Sequence, residues 1–168
     1  MNYWLFLEKS DDTRVHNGID SYKDETGKIY NYDSFVPNYL NIKQGDRAIF
    51  RVENDIIGIG IIGNITKKEI LKIHRRCPKC DKTNIRERKT KTPSFRCNKC
   101  KDEFFRPNTT KDPADAFTAE ITNFVKFTLP PSVSDVKNCS ITSGGQKNQL
   151  AMMQLDPVMI LKIITSAK

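Results

Sequence analysis

Cys77-Pro-Lys-Cys80, then sixteen residues, then Cys97-Asn-Lys-Cys100 is the stretch around which the rest of the chain is organised. Two CxxC pairs at this separation have the spacing of a four-cysteine zinc site. Each pair forms a tight knuckle that aims two sulfurs at one point, and the arm between them brings the second pair round to complete a tetrahedron. That arm reads as a hairpin: Asn84-Ile85-Arg86-Glu87-Arg88 alternates, Lys91-Thr92-Pro93 turns, and Ser94-Phe95-Arg96 returns. Phe95, Phe104 and Phe105 are too few apolar side chains for a core, so about thirty residues here need a metal to fold. The expected ligands are Cys77, Cys80, Cys97 and Cys100, holding a structural Zn²⁺ with no open position for water. Two disulfides, or buried free thiols, are the competing reading.

Charge is concentrated on the same stretch. Between Lys67 and Lys111 there are 16 Lys/Arg against 5 Asp/Glu, leaving 12 against 15 elsewhere, within a chain of net charge +8. Four thiolates around one Zn²⁺ leave the ribbon strongly basic. Such a surface attracts phosphate backbones and binds by counterion release. The plainer alternative is a solvated face that aids solubility.

At 168 residues the chain has room for one ordinary domain with the ribbon as a satellite. No run approaches the ~18 apolar residues of a membrane span. Met1-Asn-Tyr-Trp-Leu-Phe-Leu-Glu8 lacks the basic start and cleavage site of a signal peptide. With four cysteines assigned to metal, Cys139 stands alone, which fits a reducing compartment; a cytoplasmic, nucleoid-associated protein is expected.

Outward from the ribbon the pattern is mainly β. Tyr3-Trp4-Leu5-Phe6-Leu7 reads as a buried strand, residues 8–28 as loop, and the aromatic-rich Tyr30 to Tyr39 as an extended loop ending at Pro37-Asn38. Arg47 to Glu53 alternates as a strand. The glycine-punctuated Ile56 to Ile65 suggests a tightly curved barrel, with Gly45-Asp46 a turn before them. Thr66 to Ile73 fits a strand extension or a short helix. Beyond the ribbon, Asn108 to Pro113 reads as linker and Ala114 to Leu129 as strand. Ser132 to Val136 fits a turn or short helix, and Gln149 to Leu155 a helix. Val158 to Ser166 is a final helix with Asp156 as cap and Pro157 in its first turn. The expected architecture is one mainly β (α+β) domain in two parts, residues 1–73 and 108–168, interrupted by a ribbon at 74–107.

The aromatic first strand, the Tyr32-Asp33-Ser34 and Pro37-Asn38 loop, Gly45-Asp46-Arg47 opening a strand, and Gly58-Ile-Gly60 resemble the PUA-like superfamily, particularly its EVE branch. With the ribbon and the Ser143-Gly-Gly-Gln-Lys-Asn148 loop, they are similar to the N-terminal reader domains of HNH restriction endonucleases thought to cut modified DNA. The resemblance implies a small, partly closed β-barrel with flanking short helices. It also implies an aromatic-lined pocket for a flipped-out base, the cost of flipping being recovered by stacking and edge hydrogen bonds.

Under that resemblance the base pocket is Trp4, Tyr30, Tyr32, Asp33, Ser34, Asn38 and Tyr39. The tyrosines are stacking faces, and Asp33 or Asn38 read the base edge. Trp4 reads more readily as core than as a pocket wall, the tyrosines equally as either, and Asp33 also as a turn cap. Ser143, Gly144, Gly145, Gln146, Lys147 and Asn148 form the DNA-binding loop, with the Gly144 and Gly145 amides and Lys147 suited to a phosphate. Arg75, Arg76, Arg86, Arg88, Lys89 and Lys91 contact the backbone. His16 and His74 form no HNH motif, so the chain is expected to be a specificity module, not an enzyme. Its expected partner is double-stranded DNA carrying a modified base, and the chain is expected to be either a stand-alone reader or, the favoured reading, a fragment whose full-length protein adds a C-terminal nuclease domain. A structured-RNA binder is the alternative.

Overall fold

The computed structural model describes residues 1–9, 17–141 and 151–167, and these residues are mainly β. In chain order the strands are β1 (Tyr3–Glu8), β2 (Ile29–Asp33), β3 (Arg47–Val52), β4 (Asp55–Arg76), β5 (Ile85–Glu87), β6 (Phe95–Cys97), β7 (Glu103–Phe104), β8 (Asn108–Lys126) and β9 (Met152–Leu155). Two short helices, α1 (Val133–Asn138) and α2 (Pro157–Thr165), flank β9 in sequence. The chain divides into two units. The first takes Met1–Lys9, Tyr22–Lys68 and the described residues from Asp115 onward; the second takes residues 17–21 and Glu69–Ala114.

The first unit is built on a sheet of order β2-β8-β4-β3-β1-β9, with β1 parallel to β3 and antiparallel to β9. Its central strands are apolar on both faces. Trp4 and Phe6 of β1 join Ala48 and Phe50 of β3 in one cluster, with Tyr30, Tyr32 and Ile121. The alternate residues Tyr3, Leu5 and Ile49 face Val136 of α1 and Ile160 of α2. Period-two alternation therefore sends every second side chain into a different core. The first cluster is aromatic: Phe6 stacks on Tyr30 at 4.1 Å, and Tyr32 on Phe117 at 5.1 Å.

Asp46, expected only as part of a turn, is the polar hub of this unit. It is 4% exposed, and its carboxylate accepts hydrogen bonds from the Asn2 amide at 2.8 Å, Trp4 Nε1 at 3.0 Å and the Lys43 amide at 3.2 Å. The glycines of β4 answer a steric demand. A Cβ on Gly58 would stand 2.4 Å from the Val125 carbonyl, and one on Gly60 2.5 Å from Ile121 Cγ2, so β8 passes too close for any side chain.

Four expectations change and one open choice is decided. Residues 30–33 are strand, not extended loop: β2 pairs antiparallel with β8 and buries Tyr30, Tyr32 and Asp33. Residues 108–113 are the start of β8, not a linker. Met152–Leu155 is strand, not helix; it pairs with β1 and buries Met152 and Met153 on opposite faces. The run Thr66 to Ile73, open between a strand extension and a short helix, is the strand extension, continuing β4. Finally, the six-stranded sheet is not a closed barrel. Its edge strands are β2 and β9, and a side-chain bond from Tyr30 Oη to the Ala151 carbonyl at 2.9 Å reaches from one to the entry of the other. Both helix ends are capped as their sequences suggest, Ser132 accepting from the Asp135 amide and Asp156 from the Met159 amide.

In the second unit β5, β6 and β7 form a three-stranded antiparallel sheet, Ile85 opposite Cys97 and Phe95 opposite Phe104. Residues 17–21 fold onto it. The Asn17 amide donates to the Ile85 carbonyl, Asn17 Oδ1 accepts from the Glu87 amide, and the Arg75 amide donates to the Gly18 carbonyl. The unit is wider than residues 74–107 because the last third of β4 and the start of β8 run through it as strand.

Candidate metal centre

Two copies of one local structure build the centre. In the first knuckle the Asp81 amide donates to the Cys77 carbonyl at 2.9 Å, and the Cys77 amide to the Lys82 carbonyl at 2.9 Å. In the second, the Lys101 amide donates to the Cys97 carbonyl at 3.0 Å, and the Cys97 amide to the Asp102 carbonyl at 2.9 Å. The residue that closes each knuckle is left-handed, Asp81 at φ 57° and Lys101 at φ 65°. The four Sγ atoms of Cys77, Cys80, Cys97 and Cys100 lie within 4.8 Å of one another, with Cys77–Cys100 and Cys80–Cys97 each at 3.6 Å. A tetrahedral ion with bonds of ~2.3 Å to sulfur has S···S edges of roughly 3.8 Å, so the set fits a metal. No cysteine is in a disulfide.

The sulfurs are not equivalent. Burial works against the Cys97 thiolate, but the Cys100 and Lys99 amides and neighbouring sulfurs outweigh it and bring the thiol down to about 7. At Cys80 the Lys82 amide favours the thiolate, whereas burial and the other three sulfurs push the thiol up to about 12. Four thiols this close cannot all ionise without a cation among them, which is the chemistry of a metal centre.

Behind the sulfurs the core is small: Ile85, Phe104 and the stacked pair Phe95–Phe104, ring centroids 6.0 Å apart. In front, the basic residues fall into two groups. Arg88 is 15% exposed, with its guanidinium on Glu103 Oε1 at 2.6 Å and on the Pro93 carbonyl, so it braces the hairpin and does not offer its charge to a ligand. That bond holds the Glu103 carboxyl below its usual range. Arg75 is paired with Asp20 at 2.7 Å, and Arg76 bonds the Asp81 carbonyl. Arg86, Lys89 and Lys91 are exposed, as are Arg96, Lys99, Lys101 and Arg106, which were not among the expected backbone contacts. Their signal was in the hairpin: register puts Arg96 directly opposite Arg86.

In the first unit the candidate pocket residues separate by burial. Trp4, Tyr30 and Tyr32 are 0–2% exposed with their rings packed inside the aromatic cluster, so they are core. Burial raises both tyrosine phenols, Tyr32 to about 12. Asp33 is 1% exposed and accepts from Tyr22 Oη at 2.7 Å and the Phe35 amide at 2.9 Å, the bonds of a turn cap. Ser34 Oγ accepts from the Asp115 amide at 3.1 Å. Asn38 and Tyr39 are half-buried; Asn38, at φ 72°, donates from Nδ2 to the Met152 carbonyl at 3.2 Å, and Tyr39 leans on Phe117. Exposed Phe35 and Leu40 flank them. Residues Ser143 to Asn148 lie outside the described residues. Where the described chain resumes, the Ala151 carbonyl accepts from Tyr30 Oη and from the Leu7 amide.

The second unit also holds a pair that sequence reasoning passed over: His74, 6% exposed, has Nδ1 2.6 Å from Asp112 Oδ2. That bond, with one from Thr110, lowers the Asp112 carboxyl. Nothing in the spacing of residues 38 apart signals it; only the pairing of β4 with β8 does.

Among the described residues no helix is long and apolar enough to cross a membrane. No protein-family model matches the chain, and no curated protein or solved structure matches it.

Proposed function

We propose that the chain is a DNA-binding specificity module: a PUA-like first unit that reads a modified, flipped-out base, and a zinc ribbon that grips the neighbouring backbone. The observation that carries it is the set of basic side chains left exposed around the four-cysteine centre, Arg86, Lys89, Lys91 and Arg96 foremost. An exposed cation on a metal-braced scaffold is suited to phosphate, and phosphates supply affinity while base contacts supply specificity. The tetrahedral all-sulfur set favours Zn²⁺, in a closed and therefore structural site. In the first unit the proposed base contacts are Tyr39 as stacking face and Asn38 as edge reader, the latter beside Met152. The buried Trp4, Tyr30 and Tyr32 rings support that surface from below. In this reading catalysis belongs to another domain.

The test is the affinity of the metal-loaded chain for matched short duplexes that are unmodified, cytosine-methylated, hydroxymethylated or adenine-methylated, with a structured RNA alongside at the same salt. The expected result is preference for one modified duplex. Replacing Arg86, Lys89 and Lys91 together by Ala should weaken binding to every duplex alike and lower the salt slope by roughly 2–3. Equal binding to all duplexes overturns the base-reading half, preference for the RNA overturns the choice of nucleic acid, and Mg²⁺-dependent cleavage overturns the assignment as a module.

A further inference from the structure

Phe105 is a large aromatic side chain that the fold leaves in water. It directly follows β7, and it is 66% exposed while its neighbour Phe104 is 8% exposed against Phe95. Phe105 sits in the bend just after β7, two residues past Glu103, and Glu103 stands on the face of the β5–β6–β7 sheet opposite to Phe104. That face carries Arg86, opposite Arg96, opposite Glu103. Glu103 does not make the face acidic, since Arg88 holds its carboxylate at 2.6 Å and Arg96 approaches it at 3.9 Å. Arg106 follows Phe105 and is exposed.

Burying a phenylalanine is worth about 1.5–3 kcal/mol, and this small core, short of apolar side chains, does not take it in. A basic face that would repel a cationic partner and attract an anionic one leaves a limited choice of occupant for the ring. An aromatic face among arginines is the arrangement on which unpaired bases stack while their phosphates are held by the cations beside them. We infer that Phe105 is a stacking platform for one unpaired nucleobase, the phosphates on either side being held by Arg86, Arg96 and Arg106. This rests on the nucleic-acid reading above and adds to it a second contact, on the ribbon itself, with bases and not only with backbone. In a duplex opened by base flipping, the unpaired base belongs to the distorted site; in a single strand, any base serves.

The test uses the metal-loaded full chain with decathymidine, decauridine and a hairpin duplex of equal charge. Phe105→Ala should weaken decathymidine or decauridine about tenfold or more, with duplex affinity, salt slope and bound metal unchanged. Phe105→Leu should behave like Phe105→Ala, because it keeps the apolar bulk and loses the π-face. Phe105→Trp should retain binding, and its emission should be quenched on adding either oligonucleotide. Trp4, the chain's single tryptophan, is fully buried and serves as a constant background. The two oligonucleotides differ in sugar and in the thymine methyl group, so decadeoxyuridine is the control that assigns a difference between them to the sugar and names the source of the base. Phe105→Ala binding as wild type, Phe105→Leu retaining full affinity, or an unquenched Phe105→Trp would each overturn the stacking role while salt-dependent binding to the duplex persists. If the wild-type chain binds none of the three, the nucleic-acid reading falls with it.

Discussion

Among single residues, Glu8 carries the clearest cost. It ends β1 at 7% exposure, with Thr26 Oγ1 donating to Oε2 and, among the described residues, no partner on Oε1. Burial raises its carboxyl above the ordinary 4.5; the Thr26 bond opposes the rise and the negative charge of Asp24 adds to it. Asp24 is raised too, by burial against the Asn31 amide. A carboxyl that holds its proton more tightly folded than unfolded lends stability that is full below its unfolded value and is lost as pH rises through its folded one. Both groups therefore make the first unit less stable at neutral pH than near pH 4.5. The lowered carboxyls of Asp112 and Glu103 act the other way in the second unit, their contribution being lost as pH falls. Glu8→Gln, which keeps an acceptor for Thr26 and removes the buried charge, is expected to raise stability by about 1 kcal/mol at pH 7 and to change little at pH 4. Urea midpoints at the two pH values, followed through the emission of buried Trp4, decide it: equal gains at both would mean that Glu8 is not the titrating group.

Among the elements, the two knuckles repeat one backbone path, and that path asks for a left-handed residue after each second cysteine. A side chain in this region costs about 1–2 kcal/mol except on Gly, Asn or Asp. Asp81 tolerates the position; Lys101 does so at a cost. Lys101→Gly is expected to stabilise the metal-loaded ribbon by roughly 0.5–1 kcal/mol, part of the relieved strain being returned as unfolded-chain entropy. A chelator titration reads this as a higher concentration needed to strip the metal, and a lower one would mean that the bond from Lys101 Nζ to the Asn98 carbonyl outweighs the strain. The knuckles and hairpin were legible because cysteine spacing and alternation act over few residues. Strand β9 was not: Met152 to Leu155 is buried on both faces of the sheet, and an apolar run without alternation looks the same in a helix. The start of β8 was hidden by its polar, exposed side chains and Pro113. At the candidate site, burial separated residues that composition had grouped. Tyr30 and Tyr32 went into the core and Tyr39 stayed at its margin; Arg88 was bound to Glu103 while Arg86 stayed exposed.

The two units of the molecule are held by different means. The first has aromatic and aliphatic clusters on opposite faces of its sheet, with Phe6, Phe50, Leu155 and Ile160 among the side chains fully or almost fully withdrawn from water. The second has Ile85, Phe95 and Phe104 around four sulfurs. Apolar burial on that scale does not offset the ordering of its backbone, so a metal held by the four cysteines would supply most of its folding free energy. Removing the metal is therefore expected to melt β5, β6 and β7 while β1 and β3 persist. Amide hydrogen exchange with and without a strong chelator separates the units: protection at Ile85 and Cys97 should vanish, and that at Leu5 and Ile49 should stay within a few-fold. Joint loss would make the chain one cooperative fold, and retained protection at Cys97 would mean that the cysteines hold the ribbon without an ion. The same treatment bears on the proposed function, in which backbone grip and base selection lie on different units. A stripped chain should lose most of its salt-dependent affinity for every duplex, yet the ratio of its affinities for modified and unmodified DNA should survive, measured at salt low enough for both to bind. Collapse of that ratio along with the affinity would place base selection on the ribbon instead.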